Sequence, residues 1–328
     1  MTVVVTGASG HLGANLVRAL VAEGQAVRAV VHRSSAALAE LEGKIELAHG
    51  SVTELDSLRS AFAGARRVYH LAGVISIDGD RGGLVYDVNV AGTANVVQAC
   101  LDRAVERLVH ASSVHAYDQE PLDAVLDEAR PQIGDSPGHP AYDRSKALGE
   151  REVLRGVEAG LDAVIVNPSG ILGPHDYGPS RLGEVVRDLA RGRLPAVLDG
   201  GFDCVDARDL CASLIAAADL ERGRKGERYI VGGAWYSLHE IARTVEAVGG
   251  RRAPRLVLPP WVALAGVPAV KAWARLTRTE PKITRESIEV LQANRSISSA
   301  KARAELGHRN RPLAETVADT LAWFRTQG

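Results

Sequence analysis

The chain has few cysteines, no excess charge of either sign and no long apolar run. Its three cysteines in 328 residues are Cys100, Cys204 and Cys211, and none sits in a CxxC pair. An odd, sparse set argues against a disulfide framework and against a zinc site, so no metal is expected. Small apolar packing residues in a reducing cytosol are expected instead. Lys plus Arg is 39 and Asp plus Glu is 40, a formal net charge of -1. Such a balance supplies no long-range field to draw in nucleic acid or an anionic membrane. The first residues, Met1-Thr2-Val3-Val4-Val5-Thr6-Gly7, lack the basic and long apolar regions of a signal peptide. The most apolar later stretch, Leu256 to Val270, is broken by Pro259, Pro260 and Pro268 and is shorter than the ~20 residues that span a bilayer. A cytoplasmic protein with neither membrane nor nucleic-acid partners is the expectation.

What is present is an apolar fraction of 46%, enough for a substantial core. The length suits one large α/β unit with a smaller companion. Val3–Thr6 is a continuous apolar run bounded by Gly7, the pattern of a strand buried on both faces. His11–Glu23 follows as a helix with Leu12, Leu16, Ala19 and Leu20 on one face, stopped by Gly24. Further strands are expected at Ala26–Val31, Ile45–Ala48, Arg67–Leu71, Arg107–Ala111 and Asp162–Val166. Helices are expected at Thr53–Phe62, with Thr53 as N-cap, and at Leu84–Arg103, Tyr142–Ala159 and Leu313–Phe324. This alternation predicts an α/β fold: a Rossmann-type, doubly wound, mostly parallel sheet. Residues 1–166 then form a dinucleotide-binding domain. Residues 167–328 form mainly a substrate domain, with two strand-like pieces near Phe202–Val205 and Arg228–Val231 and with parts of about 202–231 returning to the sheet.

The strongest motif is Thr6-Gly7-Ala8-Ser9-Gly10-His11-Leu12-Gly13, between the first strand and the first helix. Gly7 permits the tight turn, Gly10 lets a pyrophosphate approach the backbone, and Gly13 lets helix and strand pack closely. The helix start offers free N–H groups and positive partial charge to the phosphates. This turn resembles the TGxxGxxG of the extended short-chain dehydrogenases/reductases, and the resemblance extends over nearly the whole chain. It implies a nicotinamide dinucleotide, with Ser9, Gly10, His11 and Leu12 beside its phosphates.

The second strand ends in His32-Arg33-Ser34-Ser35, without the carboxylate that would bind a ribose 2′-hydroxyl. A guanidinium and hydroxyls suit a 2′-phosphate, so NADP(H) is favoured and NAD(H) is the alternative. NADP-dependent relatives usually carry Arg where His32 stands, and a solvated Arg33 is the plain alternative. The resemblance further implies that Ser51 and Val52 flank the adenine, although Ser51 replaces the usual Asp. It also implies that Leu71, Ala72 and Gly73 pass the adenosine ribose, with His70 a structural turn residue.

Tyr142-Asp143-Arg144-Ser145-Lys146 is a YxxxK motif at the start of a helix. Residues four apart share a helical face, so phenol and ammonium can enter one cleft. A phenol titrates near ~10, and a nearby ammonium favours its phenolate. The family pattern places the catalytic serine at Ser113, the second of the pair Ser112-Ser113 at the end of the fifth strand; Ser112 is the second choice. His110 and His115 are expected to be ordinary strand-end residues. Asn89 matches an asparagine that supports a proton path from the lysine, or is a structural residue bonded to backbone. In the implied mechanism Ser113 and Tyr142 hold a carbonyl oxygen, the nicotinamide exchanges a hydride with its carbon, Tyr142 moves the proton and Lys146 tunes it.

Asn167-Pro168-Ser169-Gly170-Ile171-Leu172-Gly173-Pro174 resembles the NPxxxxGP stretch of dihydroflavonol 4-reductase-like and 3β-hydroxysteroid dehydrogenase-like enzymes. In that resemblance Pro168 and Ser169 border the nicotinamide amide. Thr279–Thr284 and Ala300–Gly307 are further marks of the same branch. The expected substrate is a small, apolar or aromatic ketone or aldehyde, or the matching alcohol. Leu256–Trp273 lines its pocket or merely packs domains together, and the long loop Asp118–Ala141 flanks the cleft. Two alternatives stand beside this reading: an NAD-dependent sugar-nucleotide epimerase/dehydratase, and a non-catalytic dinucleotide-sensing regulator. Against the latter, Tyr142 and Lys146 are both present. A homodimer through the long sheet helices is a family-based expectation.

Overall fold

The computed structural model describes residues 2–277 and 284–327. Residues 279–283 of the expected branch mark therefore lie outside the described residues. Strand β1 (Thr2–Thr6) runs into α1 (His11–Ala22), followed by β2 (Ala26–Val31), β3 (Glu46–His49), α2 (Leu55–Ala61) and β4 (Ala65–His70). A short α3 (Leu84–Tyr86) passes through a π-helical turn, Asp87–Ala91, into α4 (Gly92–Asp102). Then come β5 (Arg107–Ala111), α5 (Ala141–Glu158) and β6 (Ala163–Pro168). The later elements are β7 (Gly170–Leu172), α6 (Arg181–Ala190), β8 (Ala196–Leu198), β9 (Gly201–Asp206), α7 (Ala207–Ala217), β10 (Arg228–Val231) and β11 (Ala234–Ser237). After these follow α8 (Leu238–Ala247), β12 (Leu256–Leu258), α9 (Pro260–Thr277), α10 (Arg285–Leu291) and α11 (Leu313–Thr326).

The main sheet has seven strands in the order β10-β6-β5-β4-β1-β2-β3, and its pairings are parallel. Both faces are covered, as a parallel sheet requires. On β1 the alternation is direct: Val3 and Val5 join the core under α1 and α7, while Val4 joins the core under α2, α4 and α5. The order in which successive strands are added reverses between β1 and β4, and the crevice beyond those strand ends is where this architecture takes ligands.

Two expected helices are corrected, and two expected strands fall in different sheets. Of the two strand-like pieces, Arg228–Val231 joins the main sheet as β10. Phe202–Val205 lies in β9, the centre of a separate three-stranded sheet β11-β9-β7. Phe202 and Cys204 meet α6, α8 and α11, where Leu182, Ile241 and Val317 form a second core, while Val205 joins the core under α1 and α7. The helix expected from Thr53 begins at Leu55 with Glu54 at its N-cap, because the Thr53 hydroxyl is engaged by Ser51 at 2.8 Å. The helix expected unbroken over Leu84–Arg103 carries the π turn.

Candidate active site

The turn after β1 is built by contact. Gly7 has φ of 66°, and a Cβ there would stand 2.6 Å from the Ala72 nitrogen. A Cβ on Gly13 would stand 2.1 Å from the Gly7 carbonyl oxygen. The turn, the exit of β4 and α1 are therefore pressed together with no space for side chains. Gly10, at the N-cap of α1, places no side chain over the first N–H groups of the helix. Such a bare helix start accommodates a pyrophosphate. Gly73 is exposed, and a Cβ on it would meet Asn89 Oδ1 at 3.2 Å and Lys146 Nζ at 3.7 Å. The exit of β4 thus lies against the glycine turn at Ala72 and, at Gly73, within one methyl's reach of the lysine of the YxxxK motif. These features fit a dinucleotide lying across the crevice from Gly7 to Lys146.

Around that turn the expected residues fare differently. Ser9 and Leu12 are half-buried beside it. His11 turns its imidazole away: Nε2 meets the carbonyls of Gly173 and Pro174 at 3.2 and 3.1 Å, so any phosphate contact falls to its backbone. The Ser51 hydroxyl is shared with Thr53, and Val52 packs against Gly92. Pro168 and Ser169 are buried at the end of β6.

Ser113, Tyr142 and Lys146 come together beyond the ends of β5 and β4. Ser113 caps the 3-10 turn Val114–Ala116, its hydroxyl accepting from the His115 N–H at 3.2 Å. Burial pushes the Tyr142 phenol up to about 12; the Ser113 hydroxyl, as a hydrogen-bond partner, works against the rise and Asp143 adds to it. Lys146 is buried, and its ammonium donates to the Ala111 carbonyl at 3.0 Å. Burial brings it down to about 8, opposed by the negative charge of Glu150. The sequence led to the expectation that Lys146 would pull the phenol down. In this geometry the ammonium is turned to Ala111 and desolvation of the phenol dominates.

Asn89 is structural in its contacts. Its carboxamide accepts from the Val74 N–H at 2.8 Å and donates to the Val74 carbonyl and the Ser145 hydroxyl, both at 2.9 Å. It fixes the chain after Gly73 against α5. His70 and His110 sit behind Lys146 with ring centroids 5.0 Å apart. Burial takes His70 down to about 3 and His110 well below its ordinary value, so both stay neutral.

Two features escaped sequence reasoning. Glu150, one turn after Lys146, is fully buried and bound by Arg228 Nε at 2.6 Å, by the Gln132 amide and by Asn167 Nδ2 at 2.6 Å. Asn167 also donates to the Ser113 carbonyl at 3.0 Å. A signal existed in the helical spacing of Lys146 and Glu150, but no pattern announces the partners from β6, β10 and the loop. The second is His115, whose Nδ1 lies 3.5 Å from Asp143 Oδ2 beside Tyr142. Among the described residues no cluster of His, Cys, Asp and Glu could hold a metal ion. No described helix is long and apolar enough to cross a membrane.

The chain belongs to the NAD dependent epimerase/dehydratase family, whose model matches residues 3–232. It is 40% identical to Sterol demethylase protein B of Methylococcus capsulatus, over all of this chain and 99% of that protein. It is 32% identical to a putative dihydroflavonol 4-reductase of Synechocystis sp., over 99% of this chain and 94% of that protein. Among solved structures, the nucleoside-diphosphate-sugar epimerase PA4631 from Pseudomonas aeruginosa matches with a TM-score of 0.79 and 25% identity, covering 100% of this chain and 98% of that one. The protein is thus a nicotinamide-dependent hydride-transfer enzyme of the short-chain dehydrogenase superfamily, and the non-catalytic alternative falls.

The expectation of NADP(H) is overturned. MoeE5 was solved with UDP-glucose and NAD (21% identity, TM-score 0.75, 100% and 99% covered), and UDP-glucose 4-epimerase of Thermus thermophilus with NAD (22%, 0.77, 99% and 99%). Here His32, Arg33 and Ser34 are exposed, and the Ser34 hydroxyl accepts from the Ala36 N–H. These groups are not gathered into a 2′-phosphate site.

Proposed function

We propose that the chain holds NAD between β1 and β4 and exchanges a hydride with a carbinol carbon, retaining the dinucleotide through its cycle as a nucleotide-sugar epimerase does. The observation that carries this reading is the position of the β4 exit. Ala72 lies against the glycine turn, and a single methyl on Gly73 would reach the Lys146 ammonium, so the dinucleotide cradle and the lysine of the YxxxK motif border one cleft. Bound NAD would supply the two-electron acceptor and donor. The turn Gly7–Gly13 and the start of α1 hold its pyrophosphate. Tyr142 takes the proton from the substrate hydroxyl and returns it, and Ser113 orients that oxygen. Lys146, one helical turn after Tyr142, would bind the ribose of the dinucleotide. Pairing of two copies through α4 and α5 and a cytoplasmic location belong to the same reading.

A second reading is net oxidation or reduction of an apolar hydroxy or keto substrate, along the dihydroflavonol reductase-like and 3β-hydroxysteroid dehydrogenase-like branch. It is favoured by the full-length similarity to Sterol demethylase protein B.

The two readings separate experimentally. The purified protein is denatured and released NAD is measured; UDP-glucose is then tested for inversion, and a panel of ketones and aldehydes for consumption of added NADH. Retained NAD with sugar inversion and no net NADH change supports the first reading. Stoichiometric NADH consumption by a subset of carbonyls replaces it with the second. Turnover of either kind in Tyr142→Phe would overturn both.

A further inference from the structure

His115 and Asp143 form a pair that no step above uses. His115 lies two residues after Ser113, and Asp143 directly follows Tyr142. The 3-10 turn and α5 therefore each supply one group that holds the substrate oxygen and one member of the pair. The Nδ1 to Oδ2 distance is 3.5 Å, and the side chains are only 22% and 16% exposed. The imidazole meets the Tyr142 ring edge-on, with centroids 6.2 Å apart and planes at 62°.

A carboxylate beside a phenol opposes ionisation of the phenol, and a cation on that carboxylate relieves the opposition. We propose that His115 is a positioning residue for proton transfer: its imidazolium, held by Asp143, offsets the carboxylate's field at Tyr142. This rests on Tyr142 being the acid–base group of the reading above. The other charged groups nearby are committed elsewhere. Lys146 is turned to Ala111, Arg144 faces Asp135 at 3.5 Å, and Glu150 is taken up by Arg228 and Asn167. His70 and His110 are kept neutral by burial. Burial opposes the charged form of His115, but the hydrogen bond and charge of Asp143 outweigh it and raise its pKa.

The sign of the pH dependence follows. The offset is present while His115 is protonated and disappears as pH rises through its raised pKa. The test compares wild type with His115→Gln, Asp143→Asn and the double variant. The assay follows inversion of UDP-glucose, or oxidation of the alcohol matching the fastest carbonyl of the panel, across pH. His115→Gln should be slower by about tenfold at low pH, the effect of one pKa unit on the phenol. That ratio should decline toward one as pH rises, and the double variant should regain the lost rate. In parallel, the Cζ resonance of isotope-labelled Tyr142, assigned with Tyr142→Phe, should move as His115 titrates in wild type and not in His115→Gln. A rate ratio constant with pH, or a double variant no faster than His115→Gln, overturns the inference. Active Tyr142→Phe overturns the underlying reading as well. Inactive Tyr142→Phe with an unchanged His115→Gln profile overturns the inference alone.

Discussion

Asn167 donates to the Glu150 carboxylate at 2.6 Å, and the same nitrogen donates to the Ser113 carbonyl at 3.0 Å. The buried carboxylate of α5 is thereby coupled to the strand end that presents Ser113. Breaking a buried ion pair by removing one partner costs about 3–5 kcal/mol, largely because the other charge is left uncompensated. Glu150→Gln should lower the unfolding free energy in urea toward that range, with Arg228 partly relieved by its exposure. Adding Arg228→Met should recover part of the loss. A variant as stable as the wild type would show that the pair contributes nothing.

Lys146 gives opposite signs for activity and stability. Its ammonium is brought down to about 8 in the folded chain from an ordinary 10.5. The unfolded chain therefore binds more protons between those values, and the burial penalty is relieved as pH rises through that window. Activity that needs the ammonium should fall as pH rises through about 8, where stability begins to gain. Melting temperature and rate measured from neutral to alkaline pH, each against Lys146→Met, check both trends. Parallel changes in the two would contradict the assignment.

Replacing Gly7 or Gly13 tests the cradle. Ala at position 7 must adopt φ near 66° and meet the Ala72 nitrogen; the backbone conformation alone costs about 1–2 kcal/mol. Ala at position 13 meets the Gly7 carbonyl. Both variants should lose NAD binding in calorimetry and unfold earlier. Normal binding in either would place the dinucleotide elsewhere.

Asn89→Asp would keep the shape and lose the two amide donors to Val74 and Ser145. A cost of about 1–3 kcal/mol is expected for partners left unsatisfied, read by urea denaturation. An unchanged midpoint would mean that the chain after Gly73 is held by other contacts.

The strands were the most legible part of the sequence. Ala26–Val31 and Arg107–Ala111 have the expected bounds, because strands buried on both faces read as continuous apolar runs between turn residues. The glycine turn was equally open, since strand, glycines and helix coincide there. The fate of Phe202–Val205 was not, because strand pattern does not say which sheet a strand joins. Nor was His115, whose partner lies on a different element and whose role depends on a distance. His32-Arg33-Ser34 misled for the same reason: composition suggested phosphate binding, while the side chains project into solvent.

The π turn at Asp87–Ala91 carries one more residue per turn than the helix around it. Because successive residues of an α-helix are about 100° apart, removing one residue there would swing Asn89 off the bearing at which it grips Val74. The segment works as a phase offset between two stretches of ordinary winding. Chains that share this cleft should tolerate changes of residue type in that stretch more readily than changes in its length.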